Sequence, residues 1–163
     1  SAQRLAWIQR IFTDDSRVQV VDWEVMAEKP TPSIVTLRRF AREFPDDHAV
    51  LLLGADAFAG MDGWVEYPDH ASLCDVAVFN RAGSAQTLAG TATAFDAVPM
   101  QQWLAEELQP QLAYGRRVDV EVALPDVSAT GIRRMAVNKE SLAGMVSECV
   151  RSEIEQAYAI VKA

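Results

Sequence analysis

The chain has 163 residues, a mass of 17.9 kDa and 50% hydrophobic content, enough for one domain with a substantial core. A formal net charge of −8 and an isoelectric point near 4.7 argue against nonspecific binding to nucleic acid or to an anionic membrane. An anionic ligand would have to be held by local positive groups such as Arg133 and Arg134.

The sequence opens without Met, inside a helical pattern, as a piece of a longer chain would. Leu5, Ile8, Ile11 and Phe12 recur at helical spacing and predict a helix over 3–12. VQVVDWEV (18–25) reads as a strand. KPTPSIVTLRRFAREFPDD opens a helix near Thr31–Ser33, with Ile34, Leu37, Phe40, Ala41 and Phe44 as its apolar stripe and Pro45 as its end. AVLLLG (49–54) is a continuous apolar run, expected for a buried parallel strand, and CDVAVFN (74–80) is another. Between them, Gly60, Gly63 and Pro68 break short helices. Residues 82–98, rich in Ala, Thr and Gly, predict a loop, and PMQQWLAEELQPQL (99–112) a helix. VDVEVAL (118–124) alternates as a strand, and Leu142, Met145, Val146, Cys149, Val150, Ile154, Ala157 and Val161 draw one apolar stripe along a helix over 139–162.

Strands alternating with helices imply an α/β fold, a parallel sheet flanked by helices in a single domain over 1–163, with ligands at the strand C-termini. Cys74 and Cys149 have no metal spacing and form no ligand cluster with His48 and His70. Both thiols are expected to be buried, and both histidines to lie in surface loops. No run of about 18 apolar residues occurs, and SAQRLAWIQR lacks the apolar core of a signal peptide, so the expected location is cytoplasmic.

LPDVSATGIRR (124–134) asks for more than a turn. Pro125 ends the strand, and Asp126 or Ser128 can cap a helix that begins near Ala129. An ordinary capped helix accounts for the hydroxyls. So does a phosphate site, because a helix N-terminus presents unpaired N–H groups.

Four segments in register carry a resemblance: KPTPSIVTL, LLLGADAF with the following GW, FNRAG, and DVSATGIRR. Together they resemble the bacterial nicotinate-nucleotide adenylyltransferase family, with its psyTidTL helix start, GaD…W loop, RpG strand end and diSsTxIR signature. The likeness covers nearly the whole chain apart from 82–117. It implies a Rossmann-like sheet and adenylyl transfer from ATP, with Mg2+, to nicotinate mononucleotide in NAD synthesis. It implies Ser128 and Thr130 as phosphate donors with Arg133 one turn on, while Arg134 belongs to the solvated surface. It also implies Gly54 and Asp56 at the nucleotide, Arg81 beside it, Trp64 stacked on the nicotinate ring, and the Ser33 backbone amide on its carboxylate. Each has a plainer role available: a helix cap for Asp56, a half-buried core ring for Trp64, a solvated charge for Arg81.

Pro32, Val35, Val65, Ala82 and Ala129 depart from the family pattern, mostly on the nicotinate side. The family's G-s-F-D-P-x-H-x-G-H loop, whose histidines stabilise the reacting phosphates, does not occur in these 163 residues. Taken alone, they are expected to be nearly inactive, and the AVLLLG strand is expected to leave an apolar edge that favours a homo-oligomer. A non-catalytic nucleotide-binding or interaction module, and an adenylyltransferase with another acceptor, remain the alternatives.

Overall fold

A computed structural model describes residues 2–79, 91–106, 113–122, 125 and 127–159. Its backbone falls into two compact units, residues 29–125 and residues 1–28 with 126–163.

The first unit is built on a parallel sheet. Helix α2 (Ser33–Glu43) leads to β1 (Val50–Gly54), then to the short α3 (Ala55–Ala59) and two single 3₁₀ turns, Met61–Gly63 and Asp69–Ser72. β2 (Asp75–Phe79), the two-residue β3 (Asp96–Ala97), α4 (Met100–Glu106) and β4 (Arg116–Val120) follow. The strand order is β1-β2-β4-β3 and every pairing is parallel. β2 lies between β1 and β4 and is buried at four of its five residues, and after Asp75 its sequence is apolar to the end of the strand. Val76 and Val78 face a core containing Leu37, Phe58, Met61 and Phe95; Ala77 faces the opposite layer, where Trp103 of α4 covers Val118. β1 forms one edge of the described sheet, and there Leu52 remains 66% exposed, an apolar edge of the kind that invites pairing.

The second unit is helical: α1 (Ala2–Ile11), α5 (Ala129–Val137) and α6 (Glu148–Ala159). Trp7, Ile132, Ala136, Leu142, Val150 and Ile154 make its core. Glu153 ties α1 to α6 by accepting from Trp7 Nε1 at 3.1 Å and by pairing with Arg10.

The parallel α/β sheet agrees with the expectation, but several elements differ. Residues 18–22 are irregular and 23–25 form a turn, rather than a strand. No strand among the described residues pairs with them, and a strand without a ladder partner leaves its polar backbone unmet. Val18, Val21 and Val25 accordingly stay 38%, 41% and 38% exposed. β4 begins two residues before 118 because the buried Arg116 joins the ladder with its charge matched by Asp75. The helix expected over 139–162 starts only at Glu148; Lys139 (φ 60) and Gly144 (φ 73) take left-handed turns before it, so Leu142 packs from a loop and Met145 is 43% exposed. α4 and β2 match their predicted positions as far as they are described, β3 falls within the predicted 82–98 loop, and residues 80–90, 107–112, 123–124 and 160–163 lie outside the described residues.

Candidate functional site

The start of α5 is assembled by neighbours in sequence. Ser128 is extended (φ −124°, ψ 146°), and its Oγ accepts the Gly131 N–H at 3.0 Å, the capping bond expected from the sequence. Asp126, the other capping candidate, lies outside the described residues. A Cβ on Gly131 would stand 3.1 Å from Ser128 Oγ, so glycine leaves room for the cap. The helix itself offers no acceptor for the N–H groups of its first turn, and its macrodipole makes that end positive. Thr130 and Arg133 are both exposed, one turn apart, with Arg133 Nη2 donating to Thr130 Oγ1 at 3.4 Å. Arg134 is exposed as well. Buried Ile132 and Ala136 anchor the helix from below, so its polar start is held on a rigid element. Two hydroxyls, a guanidinium and unpaired N–H groups within six residues suit an anionic oxygen-rich ligand.

In the sheet unit, Gly54 is the last residue of β1 and stands in register with Phe79, the last of β2. A Cβ at Gly54 would meet nothing within 4 Å among the described residues, so the strand end is open as far as they extend. Its φ of −72° suits any residue, and what glycine supplies here is space. Asp56 is exposed in the first turn of α3. Arg81 lies outside the described residues.

Ser33 and Trp64 come together through His70, which is not the surface-loop residue expected from the sequence. His70 is fully buried, 0% exposed. Its Nε2 is 2.9 Å from Ser33 Oγ at the first position of α2, and its ring meets Trp64 edge-on at 5.8 Å and 69°. Nδ1 of the same ring is buried with no hydrogen-bond partner among the described residues. Burial lowers the His70 pKa from its ordinary value; the charges of Asp69 and Glu66 work against this, and Arg38 works with it. Arg38 Nη2 pairs with Glu66 Oε2 at 2.7 Å and Asp69 Oδ2 at 3.3 Å, fastening α2 to the segment that carries His70. Trp64 itself is half-buried against the core around Phe58 and Met61, so its plainer role is also met. The one cue to His70 in the sequence was its place just before the apolar residues that lead into β2. That cue could not separate an inward from an outward side chain.

A second polar group was not foreseen at all. Asp75, 0% exposed, opens β2, and its carboxylate accepts from Arg116 N at 2.9 Å, Arg116 Nε at 3.0 Å, Arg116 Nη2 at 2.5 Å and His48 Nε2 at 2.9 Å. His48 is exposed, as its loop setting implied, and its ring lies 4.5 Å from Tyr114. Burial pushes the Asp75 carboxyl upward, but the Arg116 and His48 hydrogen bonds outweigh it and hold the pKa below the ordinary value. The cluster sits where β2 and β4 begin, the opposite end of the sheet from Gly54, and acts as a clasp between strands. Beside it Cys74 is buried and its thiol is pushed up to about 12, by burial first and by the Asp75 charge second. Cys149, expected to be buried, is exposed because α6 turns it away from the Val150–Ile154 face.

No protein-family model matches the chain. Curated relatives do. A probable nicotinate-nucleotide adenylyltransferase of Dechloromonas aromatica is 30% identical, covering 94% of this chain and 71% of the relative. One of Marinomonas sp. (strain MWYL1) is 30% identical over 94% of this chain and 69% of its own length. Another, of Geobacter sp. (strain M21), is 27% identical over 99% and 76%. The matches run through both compact units, and the signature that begins at Ser128 is one of the segments they span. The chain belongs to the nicotinate-nucleotide adenylyltransferase family.

Proposed function

We propose that the protein transfers the adenylyl group of ATP to nicotinate mononucleotide in NAD synthesis. A phosphate oxygen of the mononucleotide attacks the α-phosphorus, the α–β phosphoanhydride bond breaks, and pyrophosphate leaves with Mg2+. Such a transfer asks for alignment and charge stabilisation rather than a protein nucleophile. The observation that carries the reading is the start of α5, where Ser128 is bonded into the cap and Arg133 is drawn to Thr130 on an exposed helix N-terminus. There Ser128, Thr130 and Arg133 would take ATP phosphates. Gly54 would admit the nucleotide against the backbone, with Asp56 bonding a hydroxyl or amine and Arg81 nearby. Trp64 would stack on the nicotinate ring, and the Ser33 amide would meet its carboxylate. Mg2+ would arrive on the triphosphate.

Tryptophan emission and pyrophosphate release test this together. Nicotinate mononucleotide should quench emission, and Trp64→Ala should remove most of the change, leaving Trp7, Trp23 and Trp103 little affected. Pyrophosphate release by the gene product, with its intact mass recorded, should require nicotinate mononucleotide. Release with a different mononucleotide in its place, or an unchanged spectrum at saturating ligand, would sink the assignment.

A further inference from the structure

We propose that His70 is a positioning residue that turns the Ser33 hydroxyl outward as a hydrogen-bond donor, setting a preference for an acceptor whose ring bears a carboxylate over one bearing a carboxamide. The inference rests on the acceptor reading above and adds to it a residue outside the segments that carry the resemblance.

A neutral imidazole has one N–H and one lone pair. Burial keeps His70 neutral, so its single proton has two possible places. Suppose Ser33 donates its hydroxyl proton to Nε2, 2.9 Å away. The ring proton then sits on Nδ1, a buried donor with no acceptor among the described residues. Unmet buried N–H groups are the rarer and costlier defect, because full desolvation is not repaid. With the proton on Nε2, the ring donates to Ser33 Oγ instead, and Nδ1 keeps only a lone pair. The Ser33 hydroxyl hydrogen is then available to an external acceptor.

That proton does not stand alone. Ser33 is the first residue of α2 and its N-cap is Pro32, which supplies no side-chain cap. The Ser33 amide therefore has no acceptor within the helix, so one residue presents an O–H and an N–H at a positive helix end. A carboxylate accepts from both and carries the charge that strengthens each bond, whereas a carboxamide offers one acceptor oxygen and an NH2 that meets no acceptor there. The edge contact between His70 and Trp64 orients the ring expected to stack, an effect common to both nucleotides. Hydroxyl polarity discriminates between the acceptors, while the ring contact does not.

The test pairs binding with the tautomer itself. Kd values for nicotinate mononucleotide and its carboxamide counterpart are measured by calorimetry on the unaltered protein and on His70→Phe, which keeps the edge contact. Nicotinate mononucleotide should weaken roughly tenfold, the scale of one charge-assisted hydrogen bond, and the carboxamide much less. His70→Gln, which restores an N–H donor near the Nε2 position, should recover most of the preference. Ser33→Ala should reproduce the selective loss without touching the buried ring. Nitrogen-15 spectra of the His70 ring should show the proton on Nε2. A proton on Nδ1, or equal weakening of both nucleotides by His70→Phe, overturns the proposal while leaving the acceptor reading intact. Failure of the unaltered protein to bind either nucleotide overturns both.

Discussion

Two groups of polar side chains in this protein are built to opposite ends. Asp75, Arg116 and His48 face one another: the carboxylate is fully buried and four hydrogen bonds converge on it. Ser128, Thr130 and Arg133 are exposed, and the Gly131–Ser128 cap and the Arg133–Thr130 bond leave the guanidinium and the helix N-terminus open to solvent. Closure of the first group means that its loss falls on the fold, since a buried charge deprived of its partner is expensive. Openness of the second means that its loss falls on a ligand, because exposed side chains away from special features change stability little. Chemistry alone does not distinguish them, as both contain arginine. What separates them, among the described residues, is whether the protein itself supplies the counter-charge.

The sharpest way to break this contrast is Asp75→Ala. With the Asp75 carboxylate removed from beside Arg116, which is only 8% exposed, we expect a loss of about 3–5 kcal/mol in denaturant unfolding. A loss below about 1 kcal/mol would show that the clasp is not structural.

Acid probes the same clasp without substitution. The Asp75 pKa is lower folded than unfolded, so its contribution is complete above the unfolded value of about 3.9 and disappears as pH falls through the folded value. Unfolding midpoints should therefore drop with falling pH below about 4, and Asp75→Ala should flatten that slope. His70 adds a separate segment of the same sign. Its folded pKa is also lowered, so below about 6.5 the unfolded chain takes up a proton that the native chain resists.

On the open side, Arg133→Ala should weaken ATP or pyrophosphate binding by about 1.5–3 kcal/mol in calorimetry, with unfolding nearly unchanged. Arg134→Ala should do much less, and equal small effects for both would remove the start of α5 from the site. Ser128→Ala lies between the two regimes, since it deletes the 3.0 Å cap: about 1 kcal/mol of stability should go along with any loss in binding. The smallest effect belongs to Gly54→Ala. Its Cβ would meet none of the described residues and its φ is ordinary, so stability should hold while a nucleotide that must approach β1 closely binds less well.

Taken alone, the sequence determined whatever depends on neighbours. The apolar runs at β1 and β2, the stripe that buries Ile34 and Leu37, and the Ser128 cap were all legible, because each is set by residues within about a turn of one another. Tertiary structure decided the rest. Residues 18–25 have strand-like composition, yet a strand exists only where another chain segment completes its ladder. The stripe from 142 to 161 keeps helical spacing, but left-handed turns at Lys139 and Gly144 let Leu142 reach the core from a loop. Arg116 is matched inside the sheet by Asp75, 41 positions away, a pairing that no local spacing shows. His70 reads as a loop residue until Ser33, 37 positions away, meets its Nε2 in the interior. Local spacing carries no record of a partner that only the folded chain brings within hydrogen-bonding distance.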